Sequence, residues 1–390
     1  MTRRPGPVAV PPPVPVTGAW RQGDPAGRRR FAHLGEQRLE AGGVLPSVRV
    51  AYETWGTLSP ERDNAVLVLH ALTGDSHVTG PAGPGHPTAG WWGGLVGPGR
   101  AVDTDRFFVV APNVLGGCQG TTGPSSTAPD GRAWGGRFPF LTIRDQVDAE
   151  VRLADHLGIE RFALVLGGSM GGMRVLEWGV AHPDRAAGLL VLAACAAATA
   201  DQVGWSAPQL AAIRSDPGFA GGNYHGRAPG TGPHQGMAVA RQIAHATYRS
   251  AAELDLRFGR APQPGEEPLG GGGRYAVESY LQHQGDKLAH RFDAGSYVVL
   301  TEAMNSHDVG RGRGGVEAAL SRVTARTTVA AIDSDRLYPV RLSEDLARAL
   351  PGSTDVQVIG SPYGHDGFLL ESGAVAREVA GLLHGCPADA

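Results

Sequence analysis

"LVLGGSMGGM", residues 164–173, runs from apolar residues straight into glycines that flank a single serine. Gly167-Gly168-Ser169-Met170-Gly171 fits G-x-S-x-G, the pattern of a nucleophile elbow, in which a serine sits on a sharp strand-to-helix turn. The serine there takes a strained backbone conformation, so its neighbours must be small. The N–H groups just after it open a helix, whose dipole favours negative charge. In a chain of 390 residues with 58 glycines, the pattern alone equally describes an ordinary glycine-rich turn. Its flanks favour the elbow: "FALVLG" (162–167) reads as a buried strand and "MRVLEWGVAH" (173–182) as a helix.

The same alternation extends in both directions. "AVLVLH" (65–70), "FFVVAP" (107–112), "GLLVLAA" (188–194), "TTVAAI" (327–332) and "DVQVIG" (355–360) are short and apolar on both faces, as buried parallel strands are. Helix-like segments follow at 144–157, 170–182, 342–350 and 374–384. Strands alternating with helices predict an α/β fold with a mostly parallel central sheet flanked by helices. One interruption, 197–325, contains "GMAVARQIAHATYRS" and "AVESYLQHQGDKLAH" and no strand pattern, so it reads as a helical lid insertion. The core is then 31–196 plus 326–390. Residues 1–30, with "VPPPVPV" (10–16), read as a disordered or extended N-terminal arm.

Composition excludes several classes. Thirty-five Lys and Arg against 38 Asp and Glu leave a net charge of −3, which argues against a nucleic-acid groove or a membrane-docking face. No apolar run reaches the ~18–20 residues of a membrane span. Three cysteines, Cys118, Cys195 and Cys386, lack C-x-x-C spacing, so neither a disulfide framework nor structural zinc is expected, in keeping with a reducing cytoplasm. Cys118 reads as a small packing residue, with a reactive thiol as the alternative.

A serine nucleophile needs a histidine base held by a carboxylate, on loops after later strands and in the order Ser, Asp, His. "TTVAAIDSDRLYP" ends a strand with Asp333 and Asp335, and "DVQVIGSPYGHDGFL" ends the next with His365. Asp335 is preferred because it lies further beyond the strand end; either Asp could instead cap the following helix. The oxyanion donors expected are the Met170 N–H and, from "HALTGDSH" (70–77), the Leu72 N–H. His70 and His77 lack a third ligand at helical spacing, so no metal is expected.

Several long segments together resemble the homoserine O-acyltransferases of the α/β-hydrolase superfamily: "YETWGTLSPERDNAVLVLHALTGDSH", "APNVLGGCQGTTGPSS", "FPFLTIRDQV", "GGSMGGM", "AHATYRSAAELDLRFGR", "IDSDRLYP" and "YGHDGF". The resemblance covers about 45–370. It implies an α/β-hydrolase fold, a ping-pong reaction through Ser169, Asp335 and His365, and an oxyanion hole of Leu72 and Met170. It also implies that Arg241, Tyr248 and Asp366 grip an amino-acid acceptor, that acetyl-CoA is a co-substrate with no permanently bound cofactor, and that the lid helices make a homodimer. Acetyl-CoA and L-homoserine are the expected substrates, with succinyl-CoA or serine as alternatives. Arg241 could also be a solvated lid residue. An esterase or thioesterase on the same scaffold and an inactive binding module are the competing readings.

Overall fold

The protein, described here from a computed structural model, is placed over residues 14–353 and 355–383. Its strands are β1 (Arg30–Arg38), β2 (Val44–Trp55), β3 (Ala65–Leu69), β4 (Val96–Gly97), β5 (Val102–Asp103), β6 (Phe108–Pro112), β7 (Leu164–Gly168), β8 (Gly188–Leu192), β9 (Arg326–Ile332) and β10 (Gln357–Ile359). Eight of them form one sheet in the order β1-β2-β6-β3-β7-β8-β9-β10, while β4 and β5 pair separately. From β6 to β10 every neighbour is parallel; β2 runs antiparallel to both β1 and β6.

All six apolar runs are strands of this sheet. Their residues alternate between two cores. Leu67, Leu69, Val165, Leu189, Val191 and Val329 join one face. Val66, Val68, Leu164, Leu166, Leu190, Leu192, Ala330 and Ile332 join the other. Burial on both faces, at about 1.5–3 kcal/mol per large aliphatic side chain, explains why these runs are uniformly apolar. The strands of this sheet that the apolar-run pattern does not flag are β1 and β2. Both mix buried and exposed residues, and β1 is an edge strand.

The helices are α1 (Ile143–Leu157), α2 (Met170–Ala181), α3 (Ala200–Ser215), α4 (His234–Tyr248), α5 (Ala251–Phe258), α6 (Ala276–Arg291), α7 (Ala294–Asn305), α8 (Val316–Leu320), α9 (Val340–Ala349), α10 (Gly367–Leu370) and α11 (Ser372–Leu383). Helix α1 starts at a capping box, Thr142 with Asp145, and ends at Gly158 in the left-handed region (φ 70°). Its Val147 and Val151 and Trp178 of α2 pack on the first sheet face, while Val375 and Val379 of α11 pack on the second.

Helices α3 to α8 all lie between β8 and β9. Their apolar side chains, among them Ile213, Met237, Leu288 and Tyr297, form a third cluster with Leu72, Met170 and Tyr338, so the insertion packs over the carboxyl edge of the sheet.

Residues 1–13 of the expected arm and Cys386 lie outside the described residues. The rest of the arm, residues 14–29, is irregular and packed against the body of the protein. Val16 and Ala19 are buried in the third cluster, and the Gly18 N–H donates to Phe292 O at 3.2 Å. The Thr17 hydroxyl donates to buried Asp293 at 2.8 Å. Two apolar side chains and a satisfied hydroxyl outweigh the coil-like composition of the segment.

Candidate active site

The register of the sheet sets the site. Leu69 pairs with Gly167 across β3 and β7, and Ile332 pairs with Ile359 across β9 and β10. Parallel strands end on the same edge, so the loops carrying Leu72, Ser169, Asp335 and His365 all emerge there. In open α/β sheets this edge is where ligands bind.

Ser169 is the residue between β7 and α2, with φ 58° and ψ −125°. A non-glycine residue at positive φ costs about 1–3 kcal/mol and survives only where its surroundings enforce it. Here the Ser169 N–H donates to Leu192 O at 3.0 Å and its carbonyl accepts from Met173 N at 3.0 Å. The glycines answer a close approach. A Cβ on Gly171 would lie 2.2 Å from Leu69 O, one on Gly167 2.7 Å from the same oxygen, and one on Gly168 2.5 Å from the Phe368 ring.

His365 is buried, and its Nδ1 meets Asp335 Oδ2 at 2.6 Å. The other Asp335 oxygen accepts from the Leu337 and Tyr338 N–H groups at 2.8 and 2.9 Å. That leaves Nδ1 as the proton carrier and Nε2 as the lone pair, and Nε2 is buried without a hydrogen-bond partner among the described residues. Burial disfavours the imidazolium, but the Asp335 charge and hydrogen bond, joined by Asp366, outweigh it and hold the pKa above the usual 6.5. Asp333 does other work: it accepts from the Ser361 N–H at 2.9 Å and fixes the loop after β10.

Two aromatic residues absent from the sequence reading complete the histidine's surroundings. Tyr338 stacks on the His365 ring (centroids 5.1 Å apart, 25° between planes), and Phe368 meets it edge-on at 5.5 Å. Both lie inside segments already singled out, "DRLYP" and "HDGF", but nothing local to them says which ring they face.

The Leu72 and Met170 N–H groups have no hydrogen-bond partner among the described residues. The loop holding Leu72 is pinned from beneath: Arg174 of α2 donates to His70 O while pairing with Glu150, which also accepts from Trp178 Nε1 at 2.9 Å. His70 is a strut in this arrangement. Its Nδ1 donates to Ala71 O at 2.7 Å and its Nε2 accepts from Val114 N at 3.1 Å; burial and the Arg174 charge lower its pKa to about 3. His77 belongs to a different group, with Glu53 and His86. His77 Nδ1 lies 3.0 Å from Glu53, His86 Nε2 accepts from the Arg28 N–H at 3.1 Å, and the two rings stack 3.9 Å apart. His86 Nε2 also lies 3.5 Å from Glu53, so the three side chains converge, but its lone pair is already used by the Arg28 N–H. These residues therefore suit a hydrogen-bonded brace better than a metal.

Tyr248, at the end of α4, has its ring centroid 5.6 Å from that of His365. Arg241, two turns earlier, places its guanidinium 5.3 Å from the Tyr248 ring centre, and its Nη1 is buried without a partner. Asp366 follows His365 directly and sits 3.6 Å from Arg249 Nε. Burial pushes the Asp366 pKa up against the opposing pull of Arg241 and Arg249. Cys118 is buried, which pushes its thiol pKa up and leaves it a poor nucleophile.

Residues 64–372 match the family model of the alpha/beta hydrolase fold, the class that this sheet and elbow define. The chain is 64% identical over 373 residues to the homoserine O-acetyltransferase of Thermobifida fusca, covering 95% of this chain and 98% of that one. Among solved structures, the homoserine O-acetyltransferase from Bacillus anthracis superposes with a TM-score of 0.83 at 27% identity, covering 91% and 97% of the two chains. Esterase E22 superposes equally well, with a TM-score of 0.83 at 25% identity over 91% and 99%. The chain belongs to the homoserine O-acetyltransferase family within the α/β-hydrolase fold, and is accordingly an enzyme of the acyltransferase kind acting on small molecules.

Proposed function

We propose that the enzyme transfers the acetyl group of acetyl-CoA to the hydroxyl of L-homoserine, a step toward methionine, by a ping-pong route through Ser169. The observation that carries this reading is the buried His365, fixed at Nδ1 by Asp335 and left with an open Nε2 on the edge where Ser169 stands. In the first half, Nε2 takes the Ser169 proton as Oγ attacks the thioester carbonyl. The oxyanion rests on the Leu72 and Met170 N–H groups. The C–S bond then breaks, and the proton passes from His365 to the CoA sulfur. In the second half, the acceptor hydroxyl gives its proton to the same nitrogen and attacks the acetyl-serine. The ester bond to Oγ breaks, and Ser169 recovers the proton.

Arg241 suits the acceptor carboxylate because its buried Nη1 lacks a partner, while Asp366 suits the ammonium. Transfer beats hydrolysis when the acceptor is held against the acetyl-enzyme and water is not, which is the role we assign to the 197–325 insertion as a lid. No resident cofactor or metal is required by this chemistry. Val203, Val239 and Leu256, exposed on α3, α4 and α5, support the reading of this insertion as a homodimer surface, which light scattering tests. No helix of the described residues is long and apolar enough to cross a membrane. Buried free thiols at Cys118 and Cys195 fit the proposed cytoplasmic setting.

The test follows free CoA from acetyl-CoA or succinyl-CoA, with and without homoserine or serine. Release that needs homoserine and disappears in Ser169→Ala is expected. Release indifferent to any amino acid favours the esterase reading, which the likeness to esterase E22 keeps in view. Stimulation by serine alone, or by succinyl-CoA alone, moves the acceptor or donor assignment.

A further inference from the structure

A cavity of about 920 Å³ lies apart from the catalytic groups and shares no lining residue with the candidate active site. Its walls come from the N-terminal arm (Trp20, Arg21), from β2 (Arg49), from the loop after β6 (Thr122, Arg132) and from the insertion (His225). That loop contains "GGCQGTTGPSS" (116–126), a segment the proposed reaction does not use.

The lining is cationic. Four arginines face the cavity, and no Asp or Glu does among the described residues. One of the four, Arg137, is neutralised by Asp130 at 2.6 Å. Arg21, Arg49 and Arg132 make no ion pair among the described residues. Arg49 is held ready for a ligand. Its guanidinium lies 5.4 Å from the Trp20 ring centre and 5.3 Å from that of Phe31, and its Nε donates to Gly120 O at 3.0 Å. Two rings and one hydrogen bond fix the plane of the group. Its Nη1 and Nη2, the fork that grips an oxyanion, find no acceptor among the described residues.

His225 supplies an independent sign. Its side chain is 7% exposed, its Nε2 meets Asp293 Oδ1 at 2.9 Å, and its Nδ1 is buried with no partner among the described residues. Buried polar atoms are nearly always hydrogen-bonded, so an unpartnered one on a cavity wall calls for a ligand. The Ser125 and Thr127 hydroxyls, which also make no hydrogen bond among the described residues, add neutral donors to the same lining.

We infer that this cavity is a second binding site, for a small molecule bearing a phosphate group, with Arg49 as its bidentate anchor and Arg21 and Arg132 adding charge from the exposed rim. Phosphate suits the lining because its several oxygens meet more than one cation and hydroxyl at once, whereas a lone carboxylate is matched by a single guanidinium. The volume leaves room beyond the phosphate for a molecule of nucleotide size.

The test is isothermal titration calorimetry of the full-length protein with inorganic phosphate and with AMP, on the unaltered chain, Arg49→Gln and Arg132→Ala. Saturable binding is expected for the unaltered protein, weaker by about tenfold in each variant. Added sodium chloride should weaken it further. Arg132 is exposed, so Arg132→Ala keeps the test open should Arg49→Gln, which gives up its contacts with Trp20, Phe31 and Gly120, fold poorly. Arg49→Lys keeps the charge without the fork and should recover only part of the affinity. Tighter binding of AMP makes the occupant a phosphate ester, tighter binding of inorganic phosphate makes it the free anion, and either supports the site. No saturable binding of either probe below about 10 mM, or equal binding by all the variants, overturns the inference. None of these measurements involves catalysis, so the outcome is independent of the transferase reading.

Discussion

Asp335→Asn probes the site with the least disturbance to the fold. The wild-type carboxylate uses Oδ1 for two backbone N–H groups, from Leu337 and Tyr338, and Oδ2 for His365 Nδ1 at 2.6 Å. An amide has one oxygen and one NH2 group, so it must choose. Turning its NH2 toward the backbone would leave two N–H donors unsatisfied, at about 1–3 kcal/mol for the buried one of Tyr338. Keeping its oxygen there costs less, and the NH2 group then faces Nδ1. The imidazole must accept at Nδ1 and carry its proton on Nε2, so it has no lone pair for the Ser169 proton. Loss of the base is worth roughly 10²–10⁴ in rate. Loss of the charge that supports the imidazolium adds to it, so kcat should fall about 10³–10⁴-fold, or ~4–5.5 kcal/mol at 1.36 kcal/mol per decade. The pH profile supplies a second readout. Asp335 holds the His365 pKa above 6.5, so the base form accumulates only above that raised value, and kcat/KM of the wild type should climb above pH 6.5. Without that charge burial is less opposed, and the residual activity of the variant should climb at lower pH. Free CoA release between pH 5 and 9 measures both, with thermal unfolding as the check on folding. Activity within tenfold of wild type, in a folded protein, would refute the assignment of Asp335.

Asp333→Asn serves as its neighbour control: the Ser361 N–H still finds an oxygen, so turnover should stay within a few-fold of wild type in the same assay. Gly171→Ala puts a Cβ 2.2 Å from Leu69 O, a backbone atom of the central sheet that cannot step aside. It should cost roughly 2–3 kcal/mol and lower the melting temperature by about 2–4 °C, whereas a melting curve matching wild type would mean α2 shifts freely. Arg241→Ala should raise the homoserine KM about 10- to 100-fold by removing a charge-assisted contact, and steady-state kinetics with homoserine varied against saturating acetyl-CoA would expose an unchanged KM.

The apolar parallel strands were legible because burial on both faces leaves a run that needs no partner to be recognised. The elbow was legible for a related reason, since the glycines that let α2 approach the end of β3 stand next to the serine in the chain. The first two strands were not, because an antiparallel strand near an edge mixes polar and apolar residues in a pattern that loops also show. The packing of the arm was not legible either: its composition reads as disordered or extended, while Val16, Thr17 and Ala19 each find a place in or beside the insertion.

By itself, the sequence determined the layered α/β class, the position of the elbow, and the order Ser169, Asp335, His365, all of which depend on short-range pattern and chain order. It preferred Asp335 to Asp333, two residues apart on one loop, only by its distance beyond the strand end. The tertiary structure supplies the physical distinction: one carboxylate meets a histidine 30 residues further on and the other the Ser361 N–H. Tyr338 and Phe368 around His365 and the Arg174 clamp beneath the Leu72 loop are likewise products of packing. Side-chain direction across elements is fixed by the whole core at once, and no local stretch encodes it.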